Sequence, residues 1–190
     1  MKSGASNASV SAREYASEAD FCQLFRDEMN RFYFLSLLLT ADAKKAERCF
    51  VTSLETCMQS RRIFKNWTQR WATHTIIKTA IQLVSPTQQQ PVLEVPPSDQ
   101  FANSSAPDAL LAALQSVPPL DRFVHHMTVV ERYSDLECST FLGCTPKEVR
   151  HSRERALQRM ASNEWLSRMV AEFDSSVATE FLRSFAAKAS

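Results

Sequence analysis

The sequence predicts an all-α fold, organised as two small helical domains joined by a flexible linker. Its 190 residues include only two glycines, Gly4 and Gly143, too few for the turns of a sheet protein or the phosphate loops of nucleotide-binding folds. None of its eight prolines precedes Pro86, so proline interrupts no helix in the first 85 residues. Apolar residues recur at steps of three and four along most of the chain, as on one face of a helix.

The first predicted domain spans residues 18–85. Its apolar spacing predicts a helical segment from Asp20 to Leu39, a second over Ala43–Gln59 and a third from Ile63 to Val84. Residues 86–107 follow, rich in Pro, Gln and Ser and poor in apolar side chains, which is typical of a flexible linker.

The second predicted domain spans residues 108–160, and residues 161–190 predict an additional amphipathic C-terminal helix. We expect Asp108 to cap the first helix of this domain. The four predicted helices are Ala109–Ser116, Leu120–Glu131, Ser134–Leu142 and Pro146–Met160.

The turn between the last two of these helices has a specific residue pattern. Gly143 suits the left-handed position after a helix, and Thr145 with Glu148 three residues later predicts a capping box. The small Ser139 suits a close crossing of the two helices, and Val149 is expected to face the core. Together these residues predict a helix-turn-helix of the kind that reads DNA.

The second helix of this motif carries five basic and two acidic residues over Pro146–Met160. Such a basic helix could be the solvated face of a structural helix, but its position after the glycine turn favours contact with phosphates and base edges. The candidate DNA-binding residues are Thr145, Lys147, Glu148, Arg150, His151, Arg153, Glu154 and Arg155.

Two tryptophans one helical turn apart, Trp67 and Trp71, stand among basic residues. Stacking on aromatic rings beside cations is how single-stranded nucleic acid is bound without sequence preference. Burial of both tryptophans in a helix core is the alternative, and the sequence leaves it open. The candidate surface comprises Arg61, Arg62, Lys65, Trp67, Arg70 and Trp71.

The net charge of +1 conceals segregation along the chain. Residues 44–78 hold eight basic and two acidic residues, and residues 79–121 hold four acidic residues and no basic one. Residues 122–160 are basic again, with seven basic and five acidic residues. Basic charge therefore falls on the two segments predicted to contact nucleic acid.

Residues Val117–Met160, with Val117-Pro118-Pro119 ahead of the glycine turn, resemble region four of bacterial RNA polymerase sigma factors of the extracytoplasmic-function class. Residues Phe21–Val84 look like region two of that class, with Trp71 where its promoter-melting helix begins. The resemblance implies a transcription initiation factor that binds promoter DNA and directs core RNA polymerase, with an anti-sigma protein as a further candidate partner. It also makes the tryptophan-bearing surface a candidate promoter-melting surface.

The region-two part departs from the family pattern where the polymerase clamp is contacted. The family carries an acidic, glutamine-rich patch there, whereas this chain has Lys45, Arg48, Val51 and Thr52 and retains only Glu47. These changes motivate an alternative: a sigma-derived DNA- or protein-binding regulator that no longer engages core polymerase.

Other functions have weaker support in the sequence. No nucleophile, base and orienting group stand together, and no metal or phosphate motif occurs, so we expect neither an enzyme nor a bound cofactor. The adjacent His125 and His126 point to different helix faces, which favours satisfied histidines over a metal site. Cys138 and Cys144 beside the turn are expected to be free thiols, with oxidation as the alternative.

The cellular location follows from cysteine usage and hydropathy. The five cysteines are odd in number and scattered, which suits free thiols in a reducing compartment. No apolar run approaches the length of a membrane span, and the first residues lack the apolar stretch of a signal peptide. A cytoplasmic protein without membrane association is the expectation.

Overall fold

A computed structural model describes residues 14–87 and 106–162, which are called below the N-terminal half and the C-terminal half. Every regular element in these ranges is helical, which confirms the all-α prediction. The helices are α1 (Glu18–Asp27), α2 (Met29–Thr40), α3 (Ala43–Gln59), α4 (Thr68–Val84), α5 (Ala106–Gln115), α6 (Pro119–His125), α7 (Asp135–Leu142) and α8 (Pro146–Ser162). The predicted C-terminal helix and most of the predicted linker lie outside the described residues.

Several helix boundaries differ from those predicted; the predicted helix Leu120–Glu131, for example, is α-helical only from Pro119 to His125. Glu28 separates α1 from α2, so the segment from Asp20 to Leu39 contains two helices rather than one. Helix α4 begins only at Thr68, after a 3-10 turn at Lys65–Trp67. The prediction that Asp108 caps a helix is wrong, because α5 already begins at Ala106.

The late start of α4 has a tertiary cause. The backbone N–H of Ala16 donates to the carbonyl of Ile63 at 2.7 Å, and Tyr15 pairs with Phe64 in an isolated antiparallel bridge. The rings of Tyr15 and Phe64 also stack, with centroids 4.8 Å apart. These contacts hold Phe64 in extended backbone, and the 3-10 turn begins at the next residue.

A left-handed residue connects α2 to α3, and a π-helical turn follows α6. Ala41 has a φ of 50° and ends α2, and the Asp42 carboxylate then accepts from the Lys45 backbone N–H at 2.9 Å to cap α3. A π-helical turn over His126–Val130 continues α6 and leads to α7.

The principal hydrophobic core is shared by both halves. In the N-terminal half it contains buried side chains of α1 to α4, and in the C-terminal half buried side chains of α6, α7 and α8 pack on the same cluster. Its largest fully buried members include Phe21, Phe25, Phe32, Leu39, Ile76, Ile77, Phe123, Val124, Met127 and Val149. Burial of this kind is the main source of stability in a helical protein.

A second apolar cluster also crosses between the halves. Phe34 and Leu37 of α2 pack there with Leu110 and Leu114 of α5. Nearby, the Gln115 side-chain amide donates to the Ala41 carbonyl at 3.2 Å. The described halves are therefore packed against each other, and their division into two separate domains is not confirmed.

A buried arginine joins the same two halves. The guanidinium of Arg122 donates to the carbonyls of Val117 and Leu114, the latter at 2.9 Å, and to the carbonyl of Leu39 at 3.3 Å. It thereby donates to carbonyls at or just beyond the ends of α5 and α2, where regular helical hydrogen bonds stop; the Leu114 carbonyl also accepts from the Val117 backbone N–H. Burial lowers the pKa of Arg122 to about 10, with the neighbouring Asp121 opposing that shift.

Candidate nucleic-acid interface

Helices α7 and α8 are joined by a three-residue turn, Gly143 to Thr145, and its backbone conformation and capping are those that the sequence predicts. Gly143 has a φ of 66° and ends α7, as predicted. The Thr145 hydroxyl accepts from the Glu148 backbone N–H at 3.2 Å, and the Glu148 carboxylate accepts from the Thr145 N–H at 2.7 Å. The predicted capping box is thus confirmed, and these hydrogen bonds lower the pKa of Glu148.

The rotation of α8 about its own axis is fixed by a buried carboxylate. Asp121 of α6 is fully buried and accepts from the Ser152 hydroxyl at 2.6 Å. It also accepts from the Arg155 guanidinium at 2.7 and 3.3 Å. Val149 and Ala156 are buried on the same side of α8, so this side faces the core.

A second carboxylate ties α8 to the start of α7. Asp135 accepts from the Arg153 guanidinium at 2.8 Å, and Arg150 lies 4.0 Å away from it. Asp135 also stands in the first turn of α7, where a negative charge is favourable. Arg153 is therefore engaged within the fold, whereas the side chain of Arg150 is 55% exposed.

The eight predicted DNA-binding residues consequently separate into two groups. Thr145, Glu148, Arg153 and Arg155 make the hydrogen bonds just described, and the other four lie on one exposed face of α8. That face, called below the outer face of α8, comprises Lys147, Arg150, His151 and Glu154. His151 and Glu154 are neighbours on it, 3.5 Å apart.

The second predicted surface lies at the start of α4. Trp67 is 62% exposed, whereas Trp71 is partly buried and donates from Nε1 to the Ser60 hydroxyl at 3.1 Å. One tryptophan is thus open to a ligand and the other is held in place. Lys65 is engaged by Asp20 at 3.1 Å, and the remaining cations of this surface, Arg61, Arg62 and Arg70, are exposed.

An aromatic groove of about 610 Å³ opens beside Trp67. Its walls include Phe64, Trp67 and Trp71 from the N-terminal half, and Tyr133 and Phe141 from the C-terminal half. His74 joins the two sides. Its ring lies 5.8 Å from that of Trp71 and 5.1 Å from that of Phe141, in an edge-on contact with the latter. Burial, with Lys78 as the second cause, lowers the pKa of His74.

Sequence reasoning found one wall of this groove and missed the other. Trp67, Trp71 and the nearby arginines were identifiable from their spacing, but Tyr133 and Phe141 lie more than 60 residues further along the chain. No local pattern marks these two residues as partners of α4, because only the packing of the two halves brings them together.

The remaining candidate groups are placed as follows. His125 and His126 are partly buried, and His126 faces Glu131 at 3.6 Å. Cys138 is buried, which raises the pKa of its thiol to about 11, and Cys144 is less buried. Each of the five cysteines is free. Within the described ranges, no three histidine, cysteine or acidic side chains come together as metal ligands would.

No family model, curated protein or solved structure matches the chain. Among the helices of residues 14–87 and 106–162, none combines the length and the apolar character needed to cross a membrane.

Proposed function

We propose that the chain is a sigma-like transcription initiation factor, which binds promoter DNA through a helix-turn-helix formed by α7, the Gly143 turn and α8, and directs core RNA polymerase. The observation that carries this proposal is the locked rotation of α8. Asp121 holds the buried Ser152 and the half-exposed Arg155, and the outer face of α8 presents Lys147 and Arg150.

The outer face of α8 supplies the chemistry that DNA contact needs. Lys147 and Arg150 are cations in the first half of the helix, where a reading helix approaches the major groove. His151 beside them can meet a base edge or a phosphate. Arg153 and Arg155 act by positioning α8 through Asp135 and Asp121, so they stabilise the interface without needing to contact DNA.

The start of α4 supports a second contact with unpaired DNA. Trp67 presents an exposed indole, and Arg61, Arg62 and Arg70 supply positive charge around it. Exposed aromatic rings beside cations bind single strands by stacking and by phosphate attraction. We assign this surface to promoter melting, and the free cysteines fit a cytoplasmic site of action.

The decisive experiment is reconstitution with core RNA polymerase. The full chain should co-purify with core enzyme and direct specific initiation from a library of promoter fragments. Arg150→Ala should reduce initiation while leaving the bound core enzyme unchanged, and the exposed Arg26→Ala serves as the matched control. Failure to bind core polymerase and to initiate at any fragment would refute the proposal.

A second candidate function is favoured by the surface of α3. Lys45, Arg48 and Val51 are exposed there, and Val51 is 46% exposed. The same surface in the resembled class carries acidic and glutamine residues for the polymerase clamp. A sigma-derived regulator would bind DNA or a protein partner without core polymerase. Specific DNA binding by the chain, with no binding to core enzyme, would establish this alternative.

A further inference from the structure

The aromatic groove has the composition of a small-molecule site. Its volume of about 610 Å³ lies within the range of pockets that hold small ligands. Trp67 and Phe64 form one wall, with ring centroids 5.8 Å apart and Trp67 mostly exposed. Phe141 and Tyr133 form the opposite wall, with centroids 5.7 Å apart. The rings of each pair meet edge to face, and aromatic side chains from both halves suit stacking with a planar ring.

The charged residues that line the groove favour a negatively charged ligand. Arg62 and Arg70 line it, and both side chains are exposed. Arg70 is near Glu131 and Glu137, which partly offset its charge. Arg62 takes part in none of the ion pairs found among the described residues, and no carboxylate lines the groove beside it. An anionic group therefore fits best at Arg62.

We propose that this groove binds one planar aromatic ring that carries an anionic group, and that the ligand holds the N-terminal and C-terminal halves together. The ring stacks between the wall of Trp67 and the wall of Phe141, and the anion pairs with Arg62. A nucleoside monophosphate has this chemistry, as a free molecule or as one residue of a single strand.

Ligand binding is coupled to the packing of the two halves, because each half contributes part of the groove wall. Because Phe141 belongs to α7 and Trp67 precedes α4, a ligand that touches both binds only while the halves are packed together. Such a ligand stabilises the packed arrangement by mass action and opposes any step that separates the halves. This inference does not depend on the outer face of α8 or on core polymerase.

Adenosine monophosphate is the probe, titrated into the full chain while tryptophan fluorescence and the midpoint of thermal unfolding are recorded. We expect saturable quenching and a raised midpoint. Adenosine should bind at least about tenfold more weakly, since it lacks the anion that a charge-assisted hydrogen bond would recognise. Ribose 5-phosphate, which lacks the ring, should bind weakly as well. A single-stranded oligonucleotide is titrated in parallel.

Three variants test the assigned contacts. Arg62→Ala and Trp67→Ala alter exposed side chains and should weaken binding of adenosine monophosphate at least about tenfold without lowering the ligand-free midpoint. Phe141→Leu keeps apolar volume on the opposite wall and should weaken binding as well. Arg48→Ala on α3 is the matched control and should bind like the parent chain.

The outcomes separate the two sources of the ligand. Saturable binding of adenosine monophosphate that depends on Arg62, Trp67 and Phe141 supports the proposal. Tight binding of the oligonucleotide with the same dependence supports it with a strand as the source, provided that the thermal midpoint also rises. Binding unaffected by Phe141→Leu, equal binding of ribose 5-phosphate, or no binding of either nucleotide probe would overturn it.

Discussion

The carboxylate of Asp121 lies 2.7 Å from the guanidinium of Arg155, and the first is fully buried while the second is about half exposed. Removing the exposed partner costs more than removing the buried one, because Arg155→Ala leaves a fully buried carboxylate without its guanidinium partner, whereas Asp121→Ala leaves the Ser152 hydroxyl and a half-exposed guanidinium that water can solvate. We expect Arg155→Ala to lower the free energy of unfolding by about 3 kcal/mol and Asp121→Ala by about 2 kcal/mol. Urea unfolding of both variants measures the difference.

Glu55→Ala, which changes an exposed acidic residue on α3, is the control for this pair and should alter stability by less than about 0.5 kcal/mol. A double-mutant cycle should give a coupling of about 1 kcal/mol between Asp121 and Arg155. Equal effects of Asp121→Ala and Glu55→Ala would contradict a structural role for the buried carboxylate.

Gly143 tests the turn between α7 and α8. An added Cβ at this position would meet no atom within 4 Å, so only the φ of 66° opposes a side chain. We expect Gly143→Ala to destabilise the chain by about 1 kcal/mol and Gly143→Asn to cost less, since asparagine tolerates left-handed backbone better. Thermal unfolding compares the two, and an alanine variant as stable as the parent would exclude a backbone requirement for glycine.

The residues on the outer face of α8 predict how steeply DNA affinity falls with salt concentration. Lys147→Ala and Arg150→Ala should each lower the slope of log affinity against log salt by about one unit, if each side chain neutralises one phosphate. Arg155→Ala should leave this slope unchanged, because Asp121 engages that guanidinium. A flatter slope for Arg155→Ala alone would reverse the assignment of contacting and positioning residues.

Asp20 predicts a pH dependence of stability. Hydrogen bonds from the backbone and side chain of Ser17, with the side chain of Lys65 as a further cause, lower the pKa of Asp20 to about 2. The sign follows from linkage: stability from the ionised form is present above the ordinary pKa of 3.8 and is lost as the pH falls toward 2. The side chain is one-third exposed, so we expect no more than about 1 kcal/mol.

Urea midpoints of the parent chain and of Asp20→Asn, measured from pH 5 to pH 2, isolate this contribution. Glu137 and Glu148 also have lowered pKa values and titrate in both proteins, so the difference between the two curves belongs to Asp20. The curves should converge at the acid end, and a constant separation would show that Asp20 stabilises α1 without its charge.

Local sequence patterns predicted the features that depend on neighbouring residues. The capping box of Thr145 and Glu148 and the left-handed Gly143 need only a few consecutive positions, and both were predictable from them. The start of α4 was misplaced because the pairing of Ala16 with Ile63 involves residues nearly 50 positions apart. Helix propensity contains no information on such a contact.

In the candidate site, too, the sequence predicts features that depend on neighbouring residues and misses those that depend on distant ones. Basic residues on α8 could be found by counting charges, but which of them face outward depends on Asp121 and Asp135 in other helices. Similarly, the exposure of Trp67 and the partial burial of Trp71 depend on Ser60 and on the approach of α7. Composition identifies the residue types of an interface, and tertiary packing determines which of those side chains remain exposed to a ligand.

The hydrogen bond from Arg122 to the carbonyl of Leu39 spans 83 positions of the chain, across a core to which both halves contribute. Neither half can therefore lose its structure without exposing apolar surface and unpaired backbone groups of the other. The described chain should melt in a single cooperative transition, with tryptophan fluorescence and far-ultraviolet circular dichroism coincident. Contacts this remote in sequence raise the mean separation of contacting residues, which slows folding.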